Sequence, residues 1–437
     1  MDDSKRRFLL NTIYGAGWLG LRSLATGLPM ALLANPRAAL ADPAPVCAAK
    51  PQFLILATSG GGDPLNANVP GCYDDPGIYH PADPLMAATS MTVGSATTKA
   101  ALPWTQLGTA ILARTSFLHH ATYTNAHGDH PKVNRLMGAV QRQEMLVSLI
   151  AKNNQSCLKT VQSQPAVLSH TLITYAGSVL PILSPPSLQA VLTSPGGSLA
   201  KLQAIRDADL DKLNALFKTT GNTAQKAMLD QYASSQTQAR MLSQQLLADL
   251  SSIKGTTRAD DNIAAAVLIK MAVSPAVVMQ YSFGGDNHGD TGLAGETSQT
   301  LASLTALGDL YKLLVSYALQ DNVTIAFQNV FGRSLSTKSH RDNADGRNHN
   351  ATHHCSVFIG PAFKSSLIGS VALNSTGTDY RATGFDSTTG KGSDTADIPY
   401  EQTLASVGKT LAKACGVAQN VIDTQITTGK VITAALA

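Results

Sequence analysis

Short apolar runs, each closing on a glycine- or histidine-bearing polar segment, recur along this chain. Phe53-Leu54-Ile55-Leu56-Ala57 is continuous and ends in Thr58-Ser59-Gly60-Gly61-Gly62-Asp63-Pro64, the pattern of a strand buried on both faces that feeds a glycine-rich loop. Ala276 to Phe283 repeats it, leading into Gly284-Gly285-Asp286-Asn287-His288-Gly289-Asp290. Val323, Ile325 and Phe327 mark a third strand, which opens into Phe331-Gly332-Arg333 and later Gly346-Arg347-Asn348-His349. The run Ala110 to Ala113 reads as a strand ahead of His119, His120, His127 and His130, and Ser356 to Gly360 as the strand after His353 and His354. Helical spacing fills the intervals. Pro131 suits the first turn of a helix running to about Lys152, capped by Asp129 or His130. Between Ser198 and Ile253 apolar residues recur every three to five positions, which predicts a helical insert over about 198–255. Leu301, Leu304, Leu307, Leu310, Leu314 and Tyr317 line one face of a helix from Ser298 to Gln320, and a last helix is expected from Tyr400 to about Ala414. Residues Ala67 to Pro103 and Asn374 to Pro399, rich in small, polar and turn-forming types, read as surface excursions.

Strand, polar loop, helix, strand is the grammar of a doubly wound α/β fold with a mostly parallel sheet flanked by helices. In such sheets ligands bind outside the carboxyl ends of the strands. Eight of the eleven histidines fall in two short windows, 119–130 and 340–354, each trailing a candidate strand. Composition agrees with a packed globular chain: 14% charged, 44% hydrophobic, mean hydropathy +0.01. The net charge of +4, without a long Lys/Arg run, gives nucleic acid and anionic membranes no electrostatic support as partners.

The N-terminus reads as a targeting segment. Ser4-Lys5-Arg6-Arg7-Phe8-Leu9-Leu10 looks like a twin-arginine export signal, and Ala39-Leu40-Ala41 supplies a small-x-small cleavage pattern. Arg22 interrupts the apolar stretch, leaving it short of the ~20 residues that span a bilayer. The expectation is a signal over 1–41, a single α/β domain over 42–437 without a membrane span, and a periplasmic or secreted location. An uncut N-terminal anchor is the alternative. Five cysteines, with no C-x-x-C pair, permit disulfides in an exported chain and give no zinc knuckle. Cys355 reads as a small buried hydrophobe.

Chemistry is expected where carboxylate and imidazole converge from separate loops, because hard and borderline divalent metals take those ligands. Asp286 and His288 follow one strand, His349 another, and His127, Asp129 and His130 a third. The competing reading is that these are loop residues making ordinary hydrogen bonds and caps, since Asp-x-His arises often by chance. The glycine loop lacks the Gly-Lys-Ser/Thr ending of a P-loop and the spacing of a dinucleotide fingerprint.

An apolar strand with a Gly-Gly loop, the segment Asn125 to His130, a strand with Asp286-x-His288, and Phe331-Gly332-Arg333 followed by Gly346-Arg347-Asn348-His349 together resemble an exported bacterial family. That family is domain of unknown function fifteen-oh-one, related to the alkaline phosphatase and sulfatase superfamily. The resemblance runs from Phe53 to about Gly360, and its most specific pieces are the last two. It implies an alkaline-phosphatase-like core whose strand-end loops hold one or two divalent metal ions that polarise an anionic phosphate or sulfate ester. Transferred residue by residue, Asp286, His288 and His349 are metal ligands and Arg333 offers a guanidinium to an oxyanion; His130 and His127, from the histidine pattern above, complete the candidate ligand set. Ser59 and Asp129 stand in the segments that carry chemistry in relatives. This chain departs from the pattern: relatives usually have Asp where Ser59 and Asn348 stand, and residues 128–130 offer no Ser, Thr or Cys nucleophile. Two lost carboxylates weaken a cation site or reduce it from two ions to one. The expectation is therefore a metal-dependent ester hydrolase with an altered site. The alternatives are a non-catalytic envelope protein that keeps the fold for binding or assembly, and simple metal binding by the histidine clusters.

Overall fold

Phe53 to Ala57 is buried at every position and forms strand β1, as a continuous apolar run does when helices cover both faces of a sheet. The same holds for β2 (Thr115–His120), β4 (Ala276–Met279), β5 (Val323–Phe327) and β6 (His354–Ile359), each buried throughout. With the short strands β3 (Ala166–Val167) and β7 (Ser366–Ile368) they make a seven-stranded sheet in the order β7-β2-β6-β5-β1-β4-β3. All neighbours are parallel except β6, which runs antiparallel to both β5 and β2. The computed structural model describes residues 50–160, 162–168, 171–193, 212, 215, 219, 245–336 and 346–437. The expected export signal, His340 and most of the expected insert lie outside them.

The described chain forms two compact units. One contains the sheet and spans 50–158, 163–182 and 274–437. Its helices α1 (Leu146–Leu158), α4 (Ala294–Ser316) and α5 (Thr403–Ala414) supply the layers around the sheet. Leu54, Leu56, Leu118, Val278 and Phe358 share one core with Leu149, Ile150, Val407 and Leu411 of α1 and α5. The alternate positions Phe117 and Phe327 meet Trp104, Tyr281 and Phe283 edge to face, so the period of two along each strand loads both faces. The other unit, within 159–162 and 183–273, carries α2 (Pro185–Thr193) and α3 (Arg258–Lys270). A reciprocal capping box between Thr257 and Asp260 starts α3. Among the described residues no helix is long and apolar enough to cross a membrane.

Two local expectations are corrected. Thr109–Leu112 is a four-residue helix with only Ile111 buried, and the strand begins at Thr115. His119 and His120 therefore lie in the sheet, not beyond it; a short apolar run does not distinguish strand from helix by periodicity. The continuous helix from Pro131 to Lys152 is instead a short helix His130–Asn134, two 3-10 turns and α1. Leu136, Met137, Arg142 and Gln143 have φ between 53° and 57°, incompatible with right-handed helix. The break lets Leu136 bury against Gly408 of α5, where any side chain would overlap it.

The antiparallel β6 has a functional consequence. Its N-terminal end lies beside the carboxyl end of β2, pairing His354 with His120 and Cys355 with His119. Four imidazoles, His119, His120, His353 and His354, are thereby fully buried at one edge of the sheet. Burial pushes His119 and His120 down to about 4 and His353 and His354 well below their ordinary values. The unfolded chain, with histidines near ~6.5, binds protons there before the folded one does, so stability falls as pH drops from about 6.5 toward 4. Each such proton steepens the fall by ~1.4 kcal/mol per pH unit. Urea midpoints at pH 7, 6 and 5 are expected to decline sharply; a flat series would show these rings to be protonated in the fold.

Candidate metal centre

The strand directions bring five loops to one rim: residues 58–63 after β1, 121–130 after β2, 280–290 after β4, 328–333 after β5, and 346–353 entering β6. Asp286 is the point where they meet. Its Oδ1 lies 2.9 Å from Arg333 Nη2, 3.2 Å from His288 Nε2 and 3.8 Å from His349 Nε2, and its Oδ2 lies 3.4 Å from His127 Nε2. His288 Nε2 and His349 Nε2 are 2.8 Å apart. Ligand atoms of His127, Asp286 and His349 all lie within 4.8 Å of one another. Exposure divides the group: Asp286 and His127 are close to half exposed, whereas Arg333 has none.

The ring orientations are fixed from behind. His127 Nδ1 lies 2.8 Å from the Gly60 carbonyl oxygen and His349 Nδ1 lies 2.6 Å from that of Asn125. A carbonyl only accepts, so each Nδ1 carries a proton and, in the neutral ring, each Nε2 presents a lone pair toward Asp286. This is the arrangement by which outer partners orient metal-ligating imidazoles. The ring of Phe331 backs His349 and His127 at centroid distances of 4.3 and 5.1 Å, and sits where a side chain at Gly62 (φ 66°) would stand. The 2.8 Å approach of two imidazole Nε2 atoms requires a proton or a cation between them. Burial lowers His349, and the neighbouring Arg333, His288 and His127 lower it further. Burial alone would raise Asp286, but the Arg333 guanidinium holds its carboxyl below the ordinary value.

A buried ion pair sets the spacing of the two principal loops. Glu296, in the first turn of α4, receives Arg347 Nε at 2.7 Å and Nη2 at 3.1 Å, both residues wholly buried. Glu296 Oε2 also accepts Asn287 Nδ2 at 3.0 Å, and the Arg347 amide donates to the Asn287 carbonyl at 3.2 Å. Asn287 stands between Asp286 and His288, and Arg347 two residues before His349, so one ion pair registers both segments that supply the cluster. Arg347 also donates to the Ser334 and Tyr79 carbonyls. Gly346 is required here because a Cβ would overlap the Asn287 carbonyl. Asp290 receives the amides of Gly295 and Glu296 at 2.7 and 2.8 Å and anchors the start of α4.

A second group, Cys72, His119 and His353, also has ligand atoms within 4.8 Å of one another, but its hydrogen bonds oppose metal binding. Asn66 is fixed in orientation: its Oδ1 accepts the Arg333 amide at 2.9 Å and its Nδ2 donates to the Arg333 carbonyl at 2.9 Å. That Nδ2 is 3.0 Å from His353 Nδ1, which must therefore accept. His353 Nε2 then carries the proton and donates to His119 Nδ1 at 2.9 Å, while His119 Nε2 donates to the Pro70 carbonyl at 2.8 Å. A metal on His353 Nε2 would need a proton on Nδ1, facing an amide NH2. The donor set around Asp286 fits an ion; this one does not.

The structure thus gathers Asp286, His288, His349, His127 and Arg333. It does not bring in His130, whose Nε2 is 2.8 Å from Thr58 Oγ1 and which burial lowers to about 4. Asp129 pairs with Lys132 at 2.7 Å and accepts Thr124 Oγ1 at 2.7 Å. Ser59 Oγ accepts the Gly61 amide at 3.0 Å. Asp63 does not stand in for a carboxylate at position 59, because its oxygens accept the Leu65 and Phe283 amides at 3.0 and 2.8 Å and burial pushes it up to about 7. Arg333 receives a partner from within the chain, its Nη2 also donating to the Gly61 carbonyl at 2.7 Å. Sequence reading missed Glu296, Asn287 and Asn66, which carry no motif of their own; an acidic residue in the first turn of the helix was the available signal for Glu296.

No protein-family model and no curated protein matches the chain.

Removing one partner of the staple leaves an uncompensated buried charge, which costs about 3–5 kcal/mol. Arg347→Met is expected to lower the urea-unfolding free energy by about that amount, and Arg347→Met with Glu296→Gln to recover much of it. A loss below about 1 kcal/mol for the single variant, the scale of an exposed pair, would mean the pair does not hold the loops.

Proposed function

We propose that the rim site binds one divalent transition-metal ion through Asp286, His127 and His349, with His288 beside them, in an exported hydrolase of phosphate or sulfate esters related to the alkaline phosphatase and sulfatase lineage. The observation that carries this is the pair of Nδ1–H···O=C contacts, which aim the Nε2 lone pairs of His127 and His349 at one carboxylate. One carboxylate among imidazoles favours a borderline ion such as zinc or cobalt over magnesium or calcium, which prefer oxygen. A bound divalent ion would supply Lewis-acid polarisation of an ester oxygen.

Charge selects the substrate class. A divalent ion, the Arg333 guanidinium and the Asp286 carboxylate leave two positive charges, which a phosphate monoester dianion cancels fully and a sulfate ester by half. Arg333 contributes from below: it is buried, holds Asp286 in place and adds its field to the rim without reaching solvent. The exposure of Asp286 and His127 leaves that face open to a small anion. Cys157 is disulfide-bonded, which supports an oxidising compartment alongside the Arg6-Arg7 segment. Binding of the anion without turnover is the second reading, favoured by the hydrogen bonding of Ser59 and Asp129 away from the cluster.

Elemental analysis of protein exported by its native host is expected to find about one zinc or cobalt per chain, and aryl phosphate hydrolysis is expected to stop on chelation. Asp286→Ala with His349→Ala should lose both. Metal and phosphate binding without hydrolysis would favour the second reading; protein with no stoichiometric metal and no action on aryl phosphates or sulfates would end both.

A further inference from the structure

We propose that Asn66, His353 and His119 form a buried positioning chain that acts on the metal centre through the backbone of Arg333; this rests on the metal-site reading above. Asn66 behaves toward Arg333 as a neighbouring strand would, accepting its amide and donating to its carbonyl, both at 2.9 Å. The preceding Gly332 leaves room for this, since a Cβ there would overlap the His353 carbonyl and the Asn66 amide. Behind Asn66 the donors run in one direction, from Asn66 to His353, to His119, to the Pro70 carbonyl. Asn66, His119 and His353 are wholly buried, so no water exchanges for these bonds, and a reversal at any link leaves two donors or two acceptors face to face. Arg333 is the only member of the rim cluster whose main chain is gripped by side chains in this way among the described residues, and it is the residue that holds Asp286 Oδ1.

The chain makes a specific statement about tautomers. His353 carries its proton on Nε2 and His119 on Nε2, because Asn66 can only donate toward His353. Asn66→Asp, nearly isosteric, can only accept there when ionised. It would draw the His353 proton to Nδ1, set two lone pairs opposite each other between His353 and His119, and lose the bond to the Arg333 carbonyl. His119→Leu removes the acceptor at the far end. His119→Gln restores an acceptor toward His353 and a donor toward Pro70.

The test uses full-length protein labelled with 15N-histidine, metal-free and during cobalt titration. In the metal-free protein Asn66→Asp and His119→Leu are expected to shift the 15N signals of His127, His288 and His349 and to change the His353 tautomer. His119→Gln should leave the rim signals in place. Cobalt affinity should fall about 10-fold or more in the first two variants, the scale seen when groups that orient metal ligands are lost, and by less than about twofold in the third. Rim signals unmoved in folded Asn66→Asp and His119→Leu would overturn the proposal, and so would loss of folded structure in both by circular dichroism, which would make the chain a plain core element. A wild type that takes up no cobalt sinks the metal reading instead, and the metal-free signals still decide the positioning chain.

Discussion

The Glu296–Arg347 ion pair is the contact on which the rim depends. Two full charges with no solvent exposure are costly to desolvate, and the attraction between them only returns that cost when geometry is good and the remaining polar atoms are satisfied. Here the guanidinium contacts both carboxylate oxygens and donates to two main-chain carbonyls, while Asn287 donates a further bond to Glu296 Oε2. Burial pushes the Glu296 carboxyl up and Arg347 opposes it. A hydrophobic substitute of similar volume would fill the space but could not dictate where Asn287 and Arg347 stand relative to each other. The pair therefore converts stability into register: it fixes which residue of the post-β4 loop faces which residue of the segment entering β6.

Sheet topology decides that such a register is worth fixing. Four parallel strands deliver their following loops to one edge, and the single antiparallel strand, β6, delivers its preceding segment to the same edge. His349 reaches the rim from the N-terminal side of a strand, while Asp286 and His127 reach it from the C-terminal side of others. Each loop is short or pinned: the glycine loop by Phe331 against Gly62, the 121–130 loop by the His127 contact with Gly60, the post-β4 loop by Asp290 at the start of α4.

Much of this was legible in the sequence, for identifiable reasons. Fully buried strands read as continuous apolar runs, so β1, β4 and β5 were visible, and the polar segments after β4 and β5 named Asp286, His288 and His349 as convergent; His127 was named with them although the strand ahead of it was misplaced. The failures have physical causes too. The Ala110–Ala113 run is too short for periodicity to discriminate, and His119 and His120 sit within β2, where imidazole is not an expected strand residue. The break after Asn134 arises because Leu136 is drawn into the core against Gly408, a tertiary effect that no local pattern reports. Glu296 and Asn66 were invisible because their importance lies in partners about 50 and 270 positions away.

The two histidine groups show why composition and proximity alone do not define a metal site. Both bring three ligand atoms within the same distance, and the buried one contains a cysteine, the better soft ligand. What separates them is the direction of the protons. At the rim, the Nδ1 of His127 and of His349 each faces a carbonyl, so their Nε2 atoms converge on a carboxylate, and the approach of His288 to His349 calls for a proton or a cation between them. In the interior, Asn66 is locked by Arg333 into presenting an NH2, and every lone pair down the chain is already taken. The same residue, Arg333, thus closes the inner group to a cation through its backbone and holds Asp286 of the outer one through its side chain.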